Sequence, residues 1–269
     1  MPIELLDTLV YWLNNCSSCV KWNGVLSQFY KLDFGVRQGS VLSPFLFSVY
    51  LDDLIDNSYN GYSYFVILYA DDIVIITQSV SLLQEILFSC EVELTWLDMC
   101  INVKKSCCLR IGPRWNVVCN NIVTSSGHEL PWVENMRYLG IFVISSHIFR
   151  CSLDHAKRSY YRSLNAIFGK IGRNASEEVV LQVVSSKCIP ILMYGLEACF
   201  LTLSDIRSLD FSVNRFLMKL FKTVNTEIIK DCRDYFNFRL PSVMLVERRK
   251  KFVINYANCI NSICELFHD

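Results

Sequence analysis

The feature that most constrains this chain is the segment from Tyr64 to Thr77, YFVILYADDIVIIT, in which apolar residues flank Asp71 and Asp72. Its β-branched and aromatic residues predict two β-strands, and this composition is typical of buried strands. Two adjacent carboxylates inside a buried strand would lose hydration and repel each other. The pair is therefore expected at a turn, beside cations, or bound to a metal ion.

Two interpretations of Asp71-Asp72 remain open from this segment alone. Asp is a common turn residue, so the pair is compatible with a plain exposed hairpin tip. Alternatively, a tight hairpin carrying Asp71 near its tip would hold one ligand for Mg²⁺, which prefers oxygen donors. Two such ions, about 3.5–4 Å apart, assist phosphoryl transfer in many enzymes. That arrangement needs a further carboxylate from another strand.

Composition predicts a packed globular chain, since 52% of its 269 residues are hydrophobic and Gly and Pro are few. The formal net charge is zero, whereas a nucleic-acid enzyme is more often basic. The charge is unevenly spread: residues 1–150 hold 14 acidic and 9 basic side chains, and residues 151–269 hold 12 and 17. An acidic first part suits metal-binding carboxylates and a basic second part suits phosphates, although ordinary solvated faces explain the charges equally well.

The cysteines and apolar stretches predict an intracellular chain with no membrane segment. Thirteen Cys lie without framework spacing, and Cys16-x-x-Cys19 has no second pair or His at zinc-finger distance, so structural thiols are favoured. No signal peptide opens the chain, and a reducing compartment, cytoplasm or nucleus, is expected. The longest apolar stretch, 188–202, contains Pro190 and Glu197 and is too short to span a bilayer.

Four short motifs follow one another over about 110 residues: GVRQGSVLSP at 35–44, YADD at 69–72, NVKKS at 102–106 and RYLGI at 137–141. In this order they resemble the reverse transcriptases (RNA-directed DNA polymerases) of LINE-type, non-LTR retrotransposons. The resemblance implies a polymerase palm followed by a thumb. It also implies Mg²⁺ as cofactor, an RNA template, a DNA primer and deoxynucleotides as substrates.

The resemblance also implies roles for individual residues. Asp71 would be a metal ligand and Asp72 a weaker or structural carboxylate, while Lys105 would lie near the triphosphate and protonate pyrophosphate. An ordinary surface lysine remains an equal alternative for Lys105. The other implied positions are the template and nucleotide pocket at Arg37, Gln38, Gly39, Tyr69 and Ala70, and the primer grip at Tyr138, Leu139 and Gly140. A short buried strand would explain the last three residues equally well.

One part of the family pattern is missing. The family places its first metal-bridging Asp in a strand well before the RQG box, and only 34 residues precede Gly35 here. Glu4, Asp7 and Asp33 do not lie in such a strand, and the fingers region is absent. We therefore expect a truncated product or relic whose isolated chain is inactive. An upstream fragment would supply the missing palm strand.

The remaining pattern predicts mostly helices. Leu residues at helical spacing open the chain, Asn23-Gly24 predicts a two-residue hairpin, and an apolar helix follows Pro44. After residue 150, amphipathic stripes predict successive helices, with Asn174 and Glu177 as a capping box, Pro190 as an interruption and Ser204 as a cap. A last helix from Pro241 carries the basic run Arg248, Arg249, Lys250 and Lys251. These four could contact a duplex backbone, although a solvated face is the more ordinary explanation.

We therefore predict an α+β fold. Residues 1–145 would form a partial palm, an antiparallel sheet with packed helices, and residues 146–269 an all-α thumb and connection. The predicted reaction is template-directed addition of dNTPs to a primer 3′-hydroxyl. The alternative is a catalytically dead, nucleic-acid-binding remnant or a pseudogene product without a role.

Overall fold

The computed structural model describes residues 2–32, 39–52, 64–171, 174–261 and Cys264. The chain divides into two compact units, Met1–Ile101 and Asn102–Asp269. Each unit contains helices and small antiparallel sheets, which confirms the α+β class. The predicted boundary between palm and thumb is at residue 145, whereas the compact units meet after Ile101. The division into palm and thumb stays a prediction.

The first elements of unit 1 are a helix and two short strand pairs. Their bounds are α1 (Ile3–Asn14), β1 (Ser17–Ser18), β2 (Lys21–Trp22), β3 (Val25–Leu26) and β4 (Tyr30–Lys31). The predicted hairpin is present, with Trp22 opposite Val25 and positive φ at Asn23 (47°) and Gly24 (84°). Helix α1 is also present, but none of its residues is buried.

The rest of unit 1 is built around one long hairpin. Helix α2 (Leu42–Tyr50) precedes it, strands β5 (Tyr64–Tyr69) and β6 (Asp72–Thr77) form it, and helix α3 (Val80–Trp96) follows. Ser79 caps α3, because its hydroxyl accepts a hydrogen bond from the Leu82 amide at 3.2 Å. A hydrophobic core joins one face of the hairpin to both helices through buried Leu51, Val66, Ile86, Cys90, Leu94 and Leu97.

The strands β5 and β6 are less buried than their composition predicts. Val66 is the one buried residue of β5, and the described β6 residues are half-buried or exposed. The reason is that side chains alternate across a sheet, so only the face with Val66, Leu68, Ile73 and Ile75 packs into the core. The expectation that these strands are buried therefore holds for one face of the hairpin and not for the other.

Unit 2 begins with loops and two small sheets. The strands are β7 (Ile122–Val123), β8 (Glu129–Leu130), β9 (Asn135–Tyr138), β10 (Ile141–Ile144) and β11 (Arg150–Cys151). Strands β7 and β8 pair with each other, and β10 lies between β9 and β11. The β9–β10 hairpin has a two-residue tip, since Tyr138 is opposite Ile141.

Helices form the remainder of unit 2. They are α4 (Asp154–Ile171), α5 (Glu177–Val183), a π-helical turn (Val184–Cys188), α6 (Ile189–Leu192), α7 (Leu203–Leu220), α8 (Thr226–Tyr235) and α9 (Pro241–Ala257). The predicted apolar stripes form the core, with Tyr160 and Leu164 from α4 packed with Leu209, Val213 and Leu217 from α7. None of the helices in the described ranges is long and apolar enough to cross a membrane.

The N-caps of α5 and α7 differ from the predicted ones. Helix α5 begins at Glu177 with Ser176 as N-cap, so Glu177 lies in the first turn and no capping box with Asn174 forms. Helix α7 is capped by Thr202, whose partner in a capping box is Asp205, and the predicted cap Ser204 lies inside the helix. The predicted interruption at Pro190 is confirmed, because the helix widens into the π-helical turn just before it.

Candidate functional site

The hairpin of β5 and β6 places Asp71 at its tip. Six residue pairs join the strands, ending with Tyr69 opposite Asp72, so the connecting loop is Ala70-Asp71. Both carboxylates are exposed, and the Tyr69 side chain beside them is 61% exposed. The predicted position of Asp71 at a tight hairpin tip is therefore confirmed, and hydration removes the cost that burial would impose on the pair.

The backbone at this tip is unusual for its residue type. Ala70 has φ of +50°, a left-handed conformation that costs an L-residue roughly 1–2 kcal/mol and that Gly, Asn or Asp adopts more readily. In the described residues, neither Asp71 nor Asp72 has an ion-pair partner. A tip optimised only for turning would not carry Ala at this position, which favours a functional role over a plain turn.

The side chains at the tip suit Mg²⁺ chemically, but they supply only two carboxylates. Asp71 and Asp72 offer the hard carboxylate oxygens that Mg²⁺ prefers, and this ion usually takes one or two carboxylates with water and phosphate. Within the described ranges, no group of three His, Cys, Asp or Glu side chains is arranged to hold a metal ion. The two carboxylates therefore fit one side of a magnesium site, and any bridging carboxylate must come from elsewhere.

Two of the predicted pocket residues, Arg37 and Gln38, lie outside the described residues. Gly39 is described and exposed, with φ of +83° and open space where a Cβ would stand. A side chain is therefore excluded there by the backbone conformation more than by crowding.

The lysine of the NVKKS motif lies on an exposed turn. The amides of Lys105 and Ser106 both donate to the Asn102 carbonyl, at 3.0 and 2.9 Å. The Lys105 side chain is exposed and makes no hydrogen bond or ion pair to another described residue. Its ammonium group is therefore exposed, which is compatible both with a lysine near the triphosphate and with an ordinary surface lysine.

The predicted primer grip forms the tip of the β9–β10 hairpin. Leu139 and Gly140 make the two-residue loop, with φ of 45° and 85°, and Tyr138 is half-buried at the end of β9. A Cβ added to Gly140 would lie 3.0 Å from Cε1 of Tyr194. Gly140 is therefore required twice, by its left-handed backbone and by the close approach of the Tyr194 ring.

The basic run on α9 divides into two pairs with different surroundings. Arg248 donates to the Met193 carbonyl at 3.0 Å and lies 3.9 Å from a Glu197 oxygen, and Arg249 donates to the Cys199 carbonyl at 2.9 Å. These arginines hold α9 against the segment 193–199. Lys250 and Lys251 are exposed and have no such partner among the described residues, so they are the more suitable pair for phosphates.

Helix α4 carries a further pair of exposed basic residues, which are not among the predicted site residues. Arg158 and Arg162 are exposed and lie one turn apart on the side of α4 opposite the buried Tyr160 and Leu164. The signal was available in the sequence, because an i, i+4 pair of arginines faces away from the apolar stripe.

The structure groups the predicted residues within each unit separately. Unit 1 brings together Tyr69, Ala70, Asp71 and Asp72 on one hairpin. Unit 2 contains Lys105, the hairpin tip at Tyr138–Gly140 and the basic run on α9. The tip and the basic run both contact segment 193–199, the tip through Tyr194 and the run through the carbonyls that Arg248 and Arg249 bind.

Comparison with known proteins identifies the family to which these motifs belong. The family profile described as reverse transcriptase (RNA-dependent DNA polymerase) matches residues 3–143. The RNA-directed DNA polymerase from mobile element jockey of Drosophila funebris is 29% identical over 206 residues, which is 68% of this chain and 20% of that protein. The chain thus spans about a fifth of the length of this relative. The matched region includes the YADD hairpin, and the resemblance to non-LTR enzymes is confirmed. The chain belongs to the reverse transcriptase family.

Proposed function

We propose that this chain is the part of an RNA-directed DNA polymerase that carries the YADD carboxylates and handles the primer. The observation that carries the proposal is the exposed Asp71 at the hairpin tip, inside the region that matches the reverse transcriptase family. In this proposal residues 1–145 act as a partial palm and residues 146–269 as a helical thumb. The reaction adds a deoxynucleotide to a primer 3′-hydroxyl on an RNA template.

Asp71 and Asp72 are the residues proposed to hold Mg²⁺. The ion, when bound, activates the 3′-hydroxyl and stabilises the departing pyrophosphate. Asp71 lies in the loop, whereas Asp72 is the first residue of β6 and faces Tyr69 across the pair. Asp71 is therefore the more suitable direct ligand, and Asp72 assists. The rigid strand pair fixes both carboxylates before substrate arrives, which lowers the cost of ordering them.

The surrounding residues are proposed to position the substrates. Tyr69 and Ala70 flank the primer end and the incoming nucleotide, and Arg37, Gln38 and Gly39 line the template and nucleotide pocket. Tyr138, Leu139 and Gly140 form the primer grip. Lys105, with its exposed ammonium group, donates a proton to pyrophosphate.

Primer extension tests the proposed reaction. The 269-residue chain alone is expected to give no extension with Mg²⁺ or Mn²⁺, because no third metal-binding side chain lies with Asp71 and Asp72 among its described residues. Fusing it behind the segment that precedes the aligned region in the jockey protein should restore extension on an RNA template. Asp71→Asn should then reduce the rate at least about 100-fold, the scale typical for loss of one charge-stabilising group.

The matched control is Asp98→Asn, which removes an exposed carboxylate from a different turn of unit 1. It should leave extension unchanged. Extension by the unfused chain that Asp71→Asn abolishes would mean that this chain already contains the bridging carboxylate. Equal activity of the Asp71→Asn and parent fusions would refute the assignment of Asp71.

A catalytically inactive nucleic-acid-binding protein is the second candidate. It is favoured by the exposed basic residues Arg158, Arg162, Lys250 and Lys251, which need no metal to bind phosphates. Weak binding of an RNA–DNA duplex with a steep salt dependence is expected in either case. The fusion experiment separates the two candidates, since the inactive protein would bind the duplex and never extend it.

Duplex binding also separates the two basic pairs on α9. Replacing Lys250 and Lys251 with Ser should lower the log–log salt slope by about 0.9 for each lost phosphate contact. Replacing Arg248 and Arg249 with Ser should lower thermal stability, because both donate to carbonyls of segment 193–199, and should change the slope little. The reverse result would assign the phosphate contacts to the arginines.

A further inference from the structure

A cleft of about 410 Å³ lies between the β9–β10–β11 sheet and the helices α4 and α6. Protein sites for small organic groups enclose about 300–1,000 Å³, so this volume accommodates a group the size of a nucleoside. The sheet contributes Ile141 and Phe142, α4 contributes His155 and Ser159, and segment 193–199 contributes Tyr194. All of these residues belong to unit 2, so the cleft is formed within one compact unit.

Two glycines bring segment 193–199 close to the β9–β10 hairpin along this cleft. The ring of Tyr194 lies against Gly140, where an added Cβ would be 3.0 Å from Cε1. Gly195 has φ of +69°, and a Cβ added there would lie 2.6 Å from Cδ1 of Ile141. These close contacts fix the wall that Ile141 and Tyr194 form. The cleft is therefore shaped before a ligand arrives, which lowers the entropic cost of binding.

The walls combine aromatic rings with polar groups that lack a protein partner. The ring of the exposed His155 stacks on Phe142, with 4.4 Å between the centroids and 28° between the planes. Within the described ranges, the hydroxyls of Ser159 and Tyr194 and the ring nitrogens of His155 make no hydrogen bond. Rings favour a flat ligand that stacks, and the free hydroxyls favour a ligand with polar groups at its edge. A nucleobase has both properties.

Two arginines lie beside the cleft on α4. His155, Arg158, Ser159 and Arg162 are spaced at i, i+3, i+4 and i+7, so they share one side of the helix. Both arginines are exposed, and neither forms an ion pair with an acidic residue in the described part of the chain. The planar guanidinium group suits phosphate oxygens. The charge next to the cleft therefore matches a nucleic-acid strand better than an apolar protein segment.

We propose that this cleft binds one unpaired nucleoside of a DNA primer strand whose phosphates lie along Arg158 and Arg162. The base stacks on the rings of His155 and Tyr194, and the Ser159 hydroxyl bonds to its edge. The nucleoside must be unpaired, because a base inside a duplex exposes only its groove edges. The assignment to the primer rests on the proposed function, since Gly140 of the proposed primer grip also lines the cleft.

Binding of two synthetic strands to the full 269-residue chain tests the cleft. One strand is a deoxyribose-phosphate chain without bases, and the other is the same chain with a single central adenine. Fluorescence anisotropy measures the affinity of each strand. The abasic strand reports the phosphate contacts alone, and the adenine should raise the affinity between about 5-fold and about 150-fold, the range for stacking of one base. Equal affinities of the two strands would overturn the proposal.

Variants on α4 locate the gain that the base provides. Ser159→Phe fills the cleft and should abolish the gain, while the abasic strand binds as it does to the parent. Asn165→Phe is the matched control, because it adds the same ring to an exposed position of α4 outside the cleft, and it should keep the gain. His155→Ala, at an exposed residue, removes one stacking ring without filling the cleft and should reduce the gain. A full gain in both Ser159→Phe and His155→Ala would place the base elsewhere and refute the site.

The arginines should act on both strands alike. Replacing Arg158 and Arg162 with Gln should weaken both strands by the same factor and lower the log–log salt slope by about 0.7 for each lost contact with a single strand. The gain from the adenine should remain. An unchanged salt slope would contradict the proposed path of the phosphates.

Photo-cross-linking identifies the residues that the base contacts. A strand whose one base is 5-iodouracil is irradiated with the full chain, and mass spectrometry should locate the cross-link at His155 or Tyr194. Cross-linking only at exposed aromatic residues of unit 1, such as Trp22, would overturn the proposal. So would a larger gain in affinity for an adenine on a ribose-phosphate strand, which would assign the cleft to the RNA template. None of these assays needs catalysis, so their failure is distinguishable from failure of the proposed polymerase, which the Asp71→Asn fusion tests.

Discussion

Two hairpins of this chain turn through two-residue tips that begin with a left-handed residue, Ala70 or Leu139, yet the two tips lie in different surroundings. The tip between β5 and β6 is Ala70-Asp71, with open carboxylates and an exposed Tyr69 beside it. The tip between β9 and β10 is Leu139-Gly140, and its glycine lies against the ring of Tyr194. The first tip is presented to solvent, and the second is packed.

The residue types at the two tips differ in the same way. Gly140 has the residue type that its backbone and its neighbour require, so packing alone explains it. Ala70 has a backbone that glycine would adopt at lower cost, and no packing explains the choice of Ala. Packing therefore accounts for the residue type at the second tip, whereas it does not account for the residue type at the first.

The largest effect is expected at the packed tip. Gly140→Ala places a methyl group 3.0 Å from Tyr194 on backbone with φ of +85°. The left-handed conformation costs about 1–2 kcal/mol, the stiffer unfolded chain offsets about 0.4–1 kcal/mol, and the ring must shift as well. We expect a loss of about 2 kcal/mol, measured as faster hydrogen exchange of the amides in β9 and β10.

The control for this variant is Gly24→Ala in the β2–β3 hairpin. Gly24 has nearly the same φ, +84°, but no heavy atom lies within 4 Å of the added methyl group. The expected loss there is smaller, about 0.5–1 kcal/mol, because only the backbone term remains. Equal losses at the two glycines would mean that the contact with Tyr194 contributes nothing to the packed tip.

An effect of opposite sign is expected at the exposed tip. Ala70→Gly relieves the left-handed strain at φ of +50° and loses part of that gain to the entropy of a more flexible unfolded chain. The net stabilisation should be about 0.5–1 kcal/mol, seen as slower exchange of the β5 and β6 amides. Slower exchange together with weaker primer extension by the fusion protein would indicate that the strain at Ala70 serves activity. Faster exchange would contradict the strain itself.

The sequence predicted the β5–β6 hairpin because its signals are local, whereas it did not predict the hairpin between β9 and β10. The β-branched runs on either side of Asp71-Asp72 define two strands with a short turn between them. The apolar stripes of α4 and α7 were equally readable, since each buried face recurs at helical spacing. The role of Asp71 itself rested on the family resemblance and stays a prediction.

What the sequence did not predict depends on contacts between distant residues. Arg248 and Arg249 looked equivalent to Lys250 and Lys251, and only folding brings the carbonyls of Met193 and Cys199 within their reach. The cap of α7 was misplaced by two residues, since Thr202 and Ser204 both suit an N-cap.

The smallest effect is expected at the N-terminus of α7, in the unit that also contains the packed tip. Thr202 and Asp205 form the capping box of α7, with the Thr202 amide and hydroxyl donating to the Asp205 carboxylate at 2.9 and 2.7 Å. Asp205→Asn keeps an acceptor but removes the negative charge from the N-terminus of the helix. We expect a loss of about 0.5 kcal/mol in unit 2 at neutral pH, and unchanged exchange in β5 and β6.

The pH dependence of this variant identifies the charge as the cause. Burial acts to raise the pKa of Asp205, but the hydrogen bonds from Thr202 outweigh it and the pKa is lowered overall. A carboxylate with a lowered folded pKa contributes stability above its unfolded pKa of about 4 and loses it as the pH falls through the folded value. The difference between parent and Asp205→Asn should therefore shrink below about pH 4. Asp231→Asn, an exposed acid within α8, should show no such trend, and a pH-independent difference at Asp205 would mean that shape, not charge, matters in the cap.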